Sequence, residues 1–316
     1  MKKIISLITI IILTICISGC GLINDDVYLV LTSDVHGEVN NGIGYAGLKS
    51  YVKSLKKSYS YVTLIDGGDF STDGTIAKKS EGSDIIDIMN DVGYDIVTLG
   101  NHEFDYGLDR LSENLSKAKF DIVDCNLKYI GSGKDPFSKV KPYVIKKYGN
   151  KKIAFVGILT PVTYNYDKES YTECLEDGEL AYDLYHNPYE SDGGDALFAK
   201  VQETVDEART KADIVVAVTH LGINTKSVMN VQSLIAFTRG IDIVFDSHGH
   251  TTFDGEYWPN IDGEDVFLFA VGEHLDRAGL LTIKKDGTYQ AEYVDNIEER
   301  DSSLQSKIDE LLDKYE

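Results

Sequence analysis

Positive charge is scarce in this 316-residue chain: 31 Lys and Arg stand against 52 Asp and Glu, a formal charge of −21. The acids are spread along the chain, which argues for solubility and against a nucleic-acid polymer as the main partner. An anionic substrate therefore needs local positive charge from a source other than Lys or Arg, and bound metal ions are such a source. Cysteine is scarce too, four residues in all, and nothing in their placement supports a cysteine-built metal site. There is no internal repeat and no low-complexity segment. The one long apolar run, Ile4 to Ile17, is too short to span a bilayer comfortably. What remains, 42% hydrophobic, suffices for one large core or two modest ones.

The first twenty residues read as a targeting signal. Lys2 and Lys3 give a positive start, the apolar run follows, and Ile17-Ser18-Gly19-Cys20 resembles a bacterial lipobox. Residues 1–20 are then a lipoprotein signal peptide, with Cys20 lipidated and residues 21–26 a short polar tether. The protein is expected to be extracytoplasmic and lipid-anchored to a bacterial membrane, through two or more acyl chains, since one gives only marginal binding. The alternative is an ordinary secretory signal that happens to end in Cys. Cys16 leaves with the signal, so Cys125 and Cys174 remain, either paired outside the cytoplasm or as two idle thiols.

Short apolar runs then alternate with amphipathic stretches, the pattern of an α/β domain. Val27 to Leu31, Tyr61 to Ile65, Ile96 to Leu99, Phe120 to Asp124, Lys151 to Leu159, Asp213 to Thr219, Ile241 to Phe245 and Val266 to Val271 read as strands. Gly42 to Lys57, Leu108 to Ala118 and Ala196 to Ala212 read as helices, as does a segment through Asp91 capped by Ser83 or Asp84. Val140 to Lys147 is expected to form a hairpin with Lys151 to Leu159 around Gly149-Asn150. Asp301 caps a last helix, residues 301–316, with Leu304, Ile308, Leu311 and Leu312 on one face. Residues 164–195 break the pattern, with six Tyr and ten acids against one Lys. They read as a solvated insertion or, more sharply, as a lid whose aromatics stack on substrate. His186 inside it reads as a surface residue.

Chemistry gathers where strands end. In order these ends carry Asp34 and His36; Asp69; Asn101 and His102, with Asp105 placed to hold the His102 ring; His220; and His248 and His250. Of seven histidines, six lie at strand ends, counting His274 after Val266 to Val271, the side on which open α/β sheets place their crevices. His274 stands apart, with no second ligand beside it, and is assigned a packing or supporting part. Asp66 suits a turn-capping part, and the glycines after it let the backbone bring Asp69 close to a ligand. Imidazole with carboxylate suits Mn, Fe or Zn better than Mg or Ca. Seven ligands exceed the needs of one catalytic ion. They fit two ions that share a carboxylate, roughly 3.5–4 Å apart as in two-metal hydrolases.

The ordered motifs Asp34-Val35-His36, Gly68-Asp69, Gly100-Asn101-His102-Glu103, His220 and His248-Gly249-His250 resemble those of the calcineurin-like metallophosphoesterases. The stretches SDIIDIMNDVGYDIVTLGNHEFDYG and GIGYAGLKSYVKSLKK are similar to the bacterial 5′-nucleotidase and 2′,3′-cyclic phosphodiesterase group in particular. The resemblance runs from about Val27 to Ile283 and implies a four-layer α/β/β/α sandwich, with residues 27–300 as the catalytic domain. It also implies that Asp34, His36, Asp69 and His250 hold one divalent ion, and Asp69, Asn101, His220 and His248 a second. A hydroxide activated by the ions would attack phosphorus in line, with His102 stabilising the transition state or protonating the leaving oxygen.

Two departures stand out. Ser247 replaces the usual Gly before His248, which changes no ligand. Full nucleotidases continue into a second domain that stacks on the base, whereas this sequence stops after the helix that leads there. Either the substrate is another phosphoester, or the base is recognised by the Tyr-rich insertion or another protein. The expected activity is hydrolysis of small phosphoesters, nucleotides among them. The alternatives are a phosphodiesterase acting on a cell-envelope polymer or lipid-linked substrate, and a surface binding lipoprotein without turnover.

Overall fold

The computed structural model describes residues 25–166, 181–186 and 193–316. The expected signal sequence, Cys20, most of the tether, Cys174 and the middle of the 164–195 insertion lie outside the described residues.

Two sheets pack face to face. The first runs β15 (Tyr289–Val294), β14 (Ala278–Ile283), β1 (Val27–Thr32), β2 (Val62–Asp66), β3 (Ile96–Val97), β4 (Asp121–Val123), β6 (Val140–Lys141). From β1 to β6 neighbours are parallel, while β14 lies antiparallel to β1. The second runs β12 (Thr252–Pro259), β13 (Asp265–Val271), β11 (Ile243–Asp246), β10 (Ile214–His220), β8 (Lys151–Leu159), β7 (Tyr143–Tyr148). Its centre is parallel and its two edges are antiparallel. A short ladder joins β5 (Lys128–Tyr129) to β9 (Tyr182–Asp183).

Alternation along each strand explains why the apolar runs are nearly continuous. In β10, Ile214, Val216 and Val218 point into the core between the sheets, beside Leu29, Leu31, Ile65, Phe155 and Phe245. Their neighbours Val215 and Ala217 point the other way, under α6 (Asp195–Arg209) and α7 (Val231–Phe237), with Val201, Val205 and Leu234. Successive side chains alternate faces, so a strand covered on both sides has no polar position. The outer face of the first sheet is covered by α1 (Gly44–Ser58), α2 (Thr75–Ser80), α3 (Ser83–Val92), α4 (Gly107–Lys117) and α8 (Ser302–Tyr315), through Leu48, Ile76, Ile85, Met89, Leu111, Leu304 and Ile308. The result is the four-layer α/β/β/α sandwich. Asp301 caps α8 by accepting from the Leu304 N–H at 3.0 Å.

Three local expectations need correction. Helix α3 begins after Gly82, in the left-handed region at φ 79°, and neither Ser83 nor Asp84 caps it; the Ser80 hydroxyl takes the Asp84 N–H instead. Val140 to Lys147 is not one strand. β6 pairs with β4 in the first sheet, and after Pro142 the chain crosses to pair β7 with β8 in the second. The described parts of the 164–195 insertion are only partly solvated: Gly193 and Asp195 are exposed, whereas Tyr164, Ala181, Tyr182 and Leu184 are buried. After α5 (Thr163–Tyr166), Tyr164 and Tyr182 are fully buried and stack at 5.6 Å, with Phe104 against Tyr182. Those two tyrosines are packed as core. His186 is half-buried, at the wall of a cavity of about 340 Å³ shared with Tyr164, Lys226 and Met229.

Candidate metal centre

The parallel strands of both sheets finish at one end of the sandwich, and the expected ligands meet there. Ligand atoms of Asp34, His36, Asp69 and His250 all lie within 4.8 Å of one another, as do those of Asp69, His220 and His248, so Asp69 is common to both groups. Asn101 is buried in the 3₁₀ turn that runs from Asn101 to Phe104. His102 follows it and donates its N–H to Asp69 Oδ1 at 2.8 Å.

Five of these side chains stand on backbone that L-residues rarely adopt: Asp34 (φ 48°), His36 (51°), Asp69 (56°), His248 (72°) and His250 (51°). Such conformations cost of order 1–3 kcal/mol each and persist where surrounding contacts over-determine them. The contacts are present. Asp34 N–H donates to Gly68 O and His36 N–H to Asp69 O, both at 2.9 Å. The Asp34 carboxylate accepts the His248 N–H, at 3.0 and 3.1 Å to its two oxygens. Gly68, at φ 97°, lets the 67–70 turn press against the next loop, since a Cβ there would lie 2.6 Å from Gly100 N. Ser247 has its own accommodation: its Oγ would sit 1.8 Å from a Cβ on residue 67, so only Gly67 fits opposite it.

Carboxylates outside the expected ligand set hold these loops. Glu103, 3% exposed, accepts five donors: the N–H groups of Asp69 (2.8 Å), Phe70 (2.9 Å), Ser71 (3.1 Å) and Gly100 (2.7 Å), and the Ser71 hydroxyl (3.0 Å). A second device recurs three times. A Thr near the end of one strand donates its hydroxyl to an Asp at the end of its neighbour: Thr32 to Asp66 (2.6 Å), Thr98 to Asp124 (2.7 Å), Thr219 to Asp246 (2.5 Å). Each Asp also takes a backbone N–H from a site loop, of Gly68, Leu99 and Gly222 respectively. For Asp66 this is the turn-capping part its position suggests. Burial pushes Asp66 up to about 7, Asp124 to about 8 and Asp246 to about 6. Glu103 carried a sequence signal, since it closes the Gly100-Asn101-His102-Glu103 motif; Asp124 carried none.

The imidazoles are pre-set. His220 Nδ1–H donates to Gly67 O at 2.7 Å; a carbonyl only accepts, so the tautomer is fixed with Nε2 inward. His36 Nδ1 meets Asp73 Oδ2 at 3.1 Å, and His250 Nδ1 meets Glu273 Oε2. With the outer nitrogens engaged, His36 Nε2 and His250 Nε2 face each other 3.1 Å apart. Buried Asn101 Oδ1 has no hydrogen-bond partner among the described residues, and His220 Nε2 lies 3.0 Å from Asp69 Oδ2. Inward lone pairs on nitrogen, orphaned oxygen and shared carboxylate fit divalent cations of the Mn, Fe or Zn kind.

Burial alone would raise Asp69, but His220, His102 and His36 outweigh it and hold the carboxyl well below the usual range. Burial likewise opposes charge on His220, yet Asp69 and Asp34 lift it to about 10, so its Nε2 carries a proton that a bound cation would displace to free the lone pair. Burial and His220 push His248 down to about 3, and burial lowers His36. Burial also pushes Asp34 well above the usual carboxylate range. Beside this cluster stands the dyad expected from sequence: His102 Nδ1 lies 2.8 Å from Asp105 Oδ2, and the ring is edge-on to His36 at 5.3 Å. Burial works against charge on His102, but Asp105 and Asp69 raise it to about 9. His274 takes no place in either ligand group; its N–H donates to Asp34 O at 2.8 Å and its ring lies edge-on to His36 at 5.6 Å. Cys125 is buried, and burial pushes its thiol up to about 12.

The four-layer sandwich with these side chains at its strand ends is the arrangement that the sequence's resemblance to the calcineurin-like metallophosphoesterases implies, and solved phosphoesterases share the fold. The chain belongs to the family described as bacterial capsule synthesis protein PGA_cap, whose model matches residues 64–276. It is similar to a 2′,3′-cyclic-nucleotide 2′-phosphodiesterase/3′-nucleotidase of Haemophilus influenzae, 27% identical over 273 residues, 76% of this chain and 38% of that one. Protein UshA of Escherichia coli is 30% identical over 199 residues, 60% of this chain and 33% of that protein. The chain thus spans well under half the length of either relative. Among solved structures, a 5′-nucleotidase precursor from Thermus thermophilus superposes with a TM-score of 0.75 at 20% identity, covering 92% of this chain and 59% of the other. The calcineurin-like phosphoesterase YfkN from Bacillus subtilis gives 0.70 at 22% identity, covering 92% and 98%.

Proposed function

We propose that this protein is an extracytoplasmic phosphohydrolase that uses two divalent ions to cleave phosphoesters, nucleotides foremost. The observation that carries this is the pair of ligand groups meeting at Asp69. Asp34, His36, Asp69 and His250 would hold one ion; Asp69, Asn101, His220 and His248 the other. Ions so held supply Lewis-acid charge to a phosphoester and acidify a water. The chain's own residues do the rest. Glu103 fixes the turn that carries Asp69. Held by Asp105, His102 keeps a proton on Nε2, ready for the developing charge on the departing oxygen. That dyad favours turnover over mere binding, since a binder needs no such proton. The nucleotide reading draws on the named activities of the relatives.

The family's description as a capsule synthesis protein favours one second reading, a phosphodiesterase on a cell-envelope polymer. The test is the mature protein with added Mn²⁺ on a panel of p-nitrophenyl esters, mononucleotides, cyclic nucleotides and envelope phosphodiesters. Hydrolysis of nucleotides is expected, with the rate collapsing in His102→Asn while metal content holds. Ions bound but no ester cleaved would sink the enzyme reading, and turnover of envelope polymer alone would favour the second. Anchoring at Cys20 is part of the same proposal. In Cys20→Ser the protein should leave the lipidated fraction, and a variant still labelled by radioactive palmitate would refute the anchor.

A further inference from the structure

We infer that Glu273 is a positioning residue for the first ion, setting the tautomer and aim of His250; this rests on the metal-centre reading above. Its carboxylate Oε2 is in hydrogen-bonding contact with His250 Nδ1. A carboxylate accepts, so the proton sits on Nδ1 and the lone pair of Nε2 is turned inward, 3.5 Å from Asp34 Oδ1 and 3.1 Å from His36 Nε2. His36 and His220 are aimed by similar contacts but need them less. The side chain of His220 is 0% exposed and that of His36 5%, so surrounding atoms hold those rings, whereas His250 is 38% exposed. An exposed ring on a left-handed backbone has freedom that burial does not remove. Its partner therefore decides its orientation.

Glu273 is itself held where it can do this. It follows Gly272 at the end of β13, where Gly272 sits at φ 87° and its carbonyl accepts the Ser33 hydroxyl at 2.8 Å. Gly272 N–H donates to Thr251 O at 3.1 Å, beside His250, and His274 N–H donates to Asp34 O at 2.8 Å. The loop bearing Glu273 is thus pinned to two of the three segments that carry the first ion's ligands, those of Asp34 and His36 and of His250. The same carboxylate oxygen lies 3.6 Å from His274 Nε2, which places it between two half-exposed rings. A solvated surface acid would be tied to neither.

The experiment is calorimetric titration of the full protein with Mn²⁺, for wild type, Glu273→Ala and Glu273→Gln. Two binding steps are expected in wild type. In Glu273→Ala one step should weaken by about 10–100-fold, the usual cost of losing a carboxylate behind a metal-bound imidazole, while the other stays. Gln keeps an oxygen that can accept from Nδ1–H, so Glu273→Gln should recover most of the loss. Thermal melts by circular dichroism confirm that each variant is folded. If Glu273→Ala titrates like wild type, or Glu273→Gln is as weak as Ala, the role of Glu273 is overturned while the metal centre stands. A wild type that takes up no Mn²⁺ overturns both.

Discussion

At the scale of single residues, Glu103 carries the heaviest structural duty at the site, and none of it is catalytic. Replacing it by Gln leaves four backbone N–H groups and a hydroxyl facing a side chain that is itself half donor. Glu103→Gln should cost about 3 kcal/mol of stability, the scale of disrupting a buried charged hydrogen-bond network, and urea unfolding measures it. A loss within error of zero would show that the loops stand without it. The same residues mark where sequence reasoning stops. Asp34, His36, Asp69, Asn101, His220, His248 and His250 were legible because each ends a readable apolar run and has a side chain suited to metals. Asp73, Asp124 and Glu273 were not. Their partners are distant in sequence, and an isolated Asp or Glu beside a turn reads as ordinary solvated surface.

Among elements, strands with both faces covered were the easiest to read and edges the hardest. The central strands β8, β10 and β11 announced themselves as unbroken apolar runs. The passage from β6 to β7 did not, because Pro142 interrupts what looks like one strand, and only pairing reveals that its halves serve different sheets. Asp121 stitches that passage: its carboxylate binds Lys141 of β6 at 2.8 Å and Lys146 of β7 at 2.7 Å. Burial would raise it, yet the two ammonium groups prevail and hold it below the usual carboxylate range. A folded pKa below the unfolded one adds stability that is complete above the unfolded value and fades as pH falls through the folded value. Asp121→Asn should therefore cost about 1 kcal/mol near neutrality, in keeping with a partly exposed pair network, and nothing in strong acid. Urea midpoints at both pH values check this; an equal cost at each would mean that packing, not charge, is lost.

For the molecule as a whole, the proposed ligands come from both sheets, so a bound metal would tie stability to their assembly. Asp34, His36, Asp69 and Asn101 follow strands of the first sheet; His220, His248 and His250 close strands of the second. Cations that bind only this assembled arrangement stabilise the fold by mass action, about 2.7 kcal/mol at a hundred times the dissociation constant. The melting temperature should rise on adding Mn²⁺ and fall back with EDTA. A melting temperature indifferent to both would show that the seven side chains do not act together.

The order in which the chain visits its sheets has one more consequence. Cutting the backbone at Pro142 would give an amino-terminal piece owning the carboxylates, one imidazole and the amide of the donor set, and a carboxyl-terminal piece owning three imidazoles. The second piece also carries β14, which must slot beside β1 of the first. Neither fragment holds a complete ligand group, so metal capture by the mixture with the affinity of the intact chain would report that two halves of a severed polypeptide had found each other again.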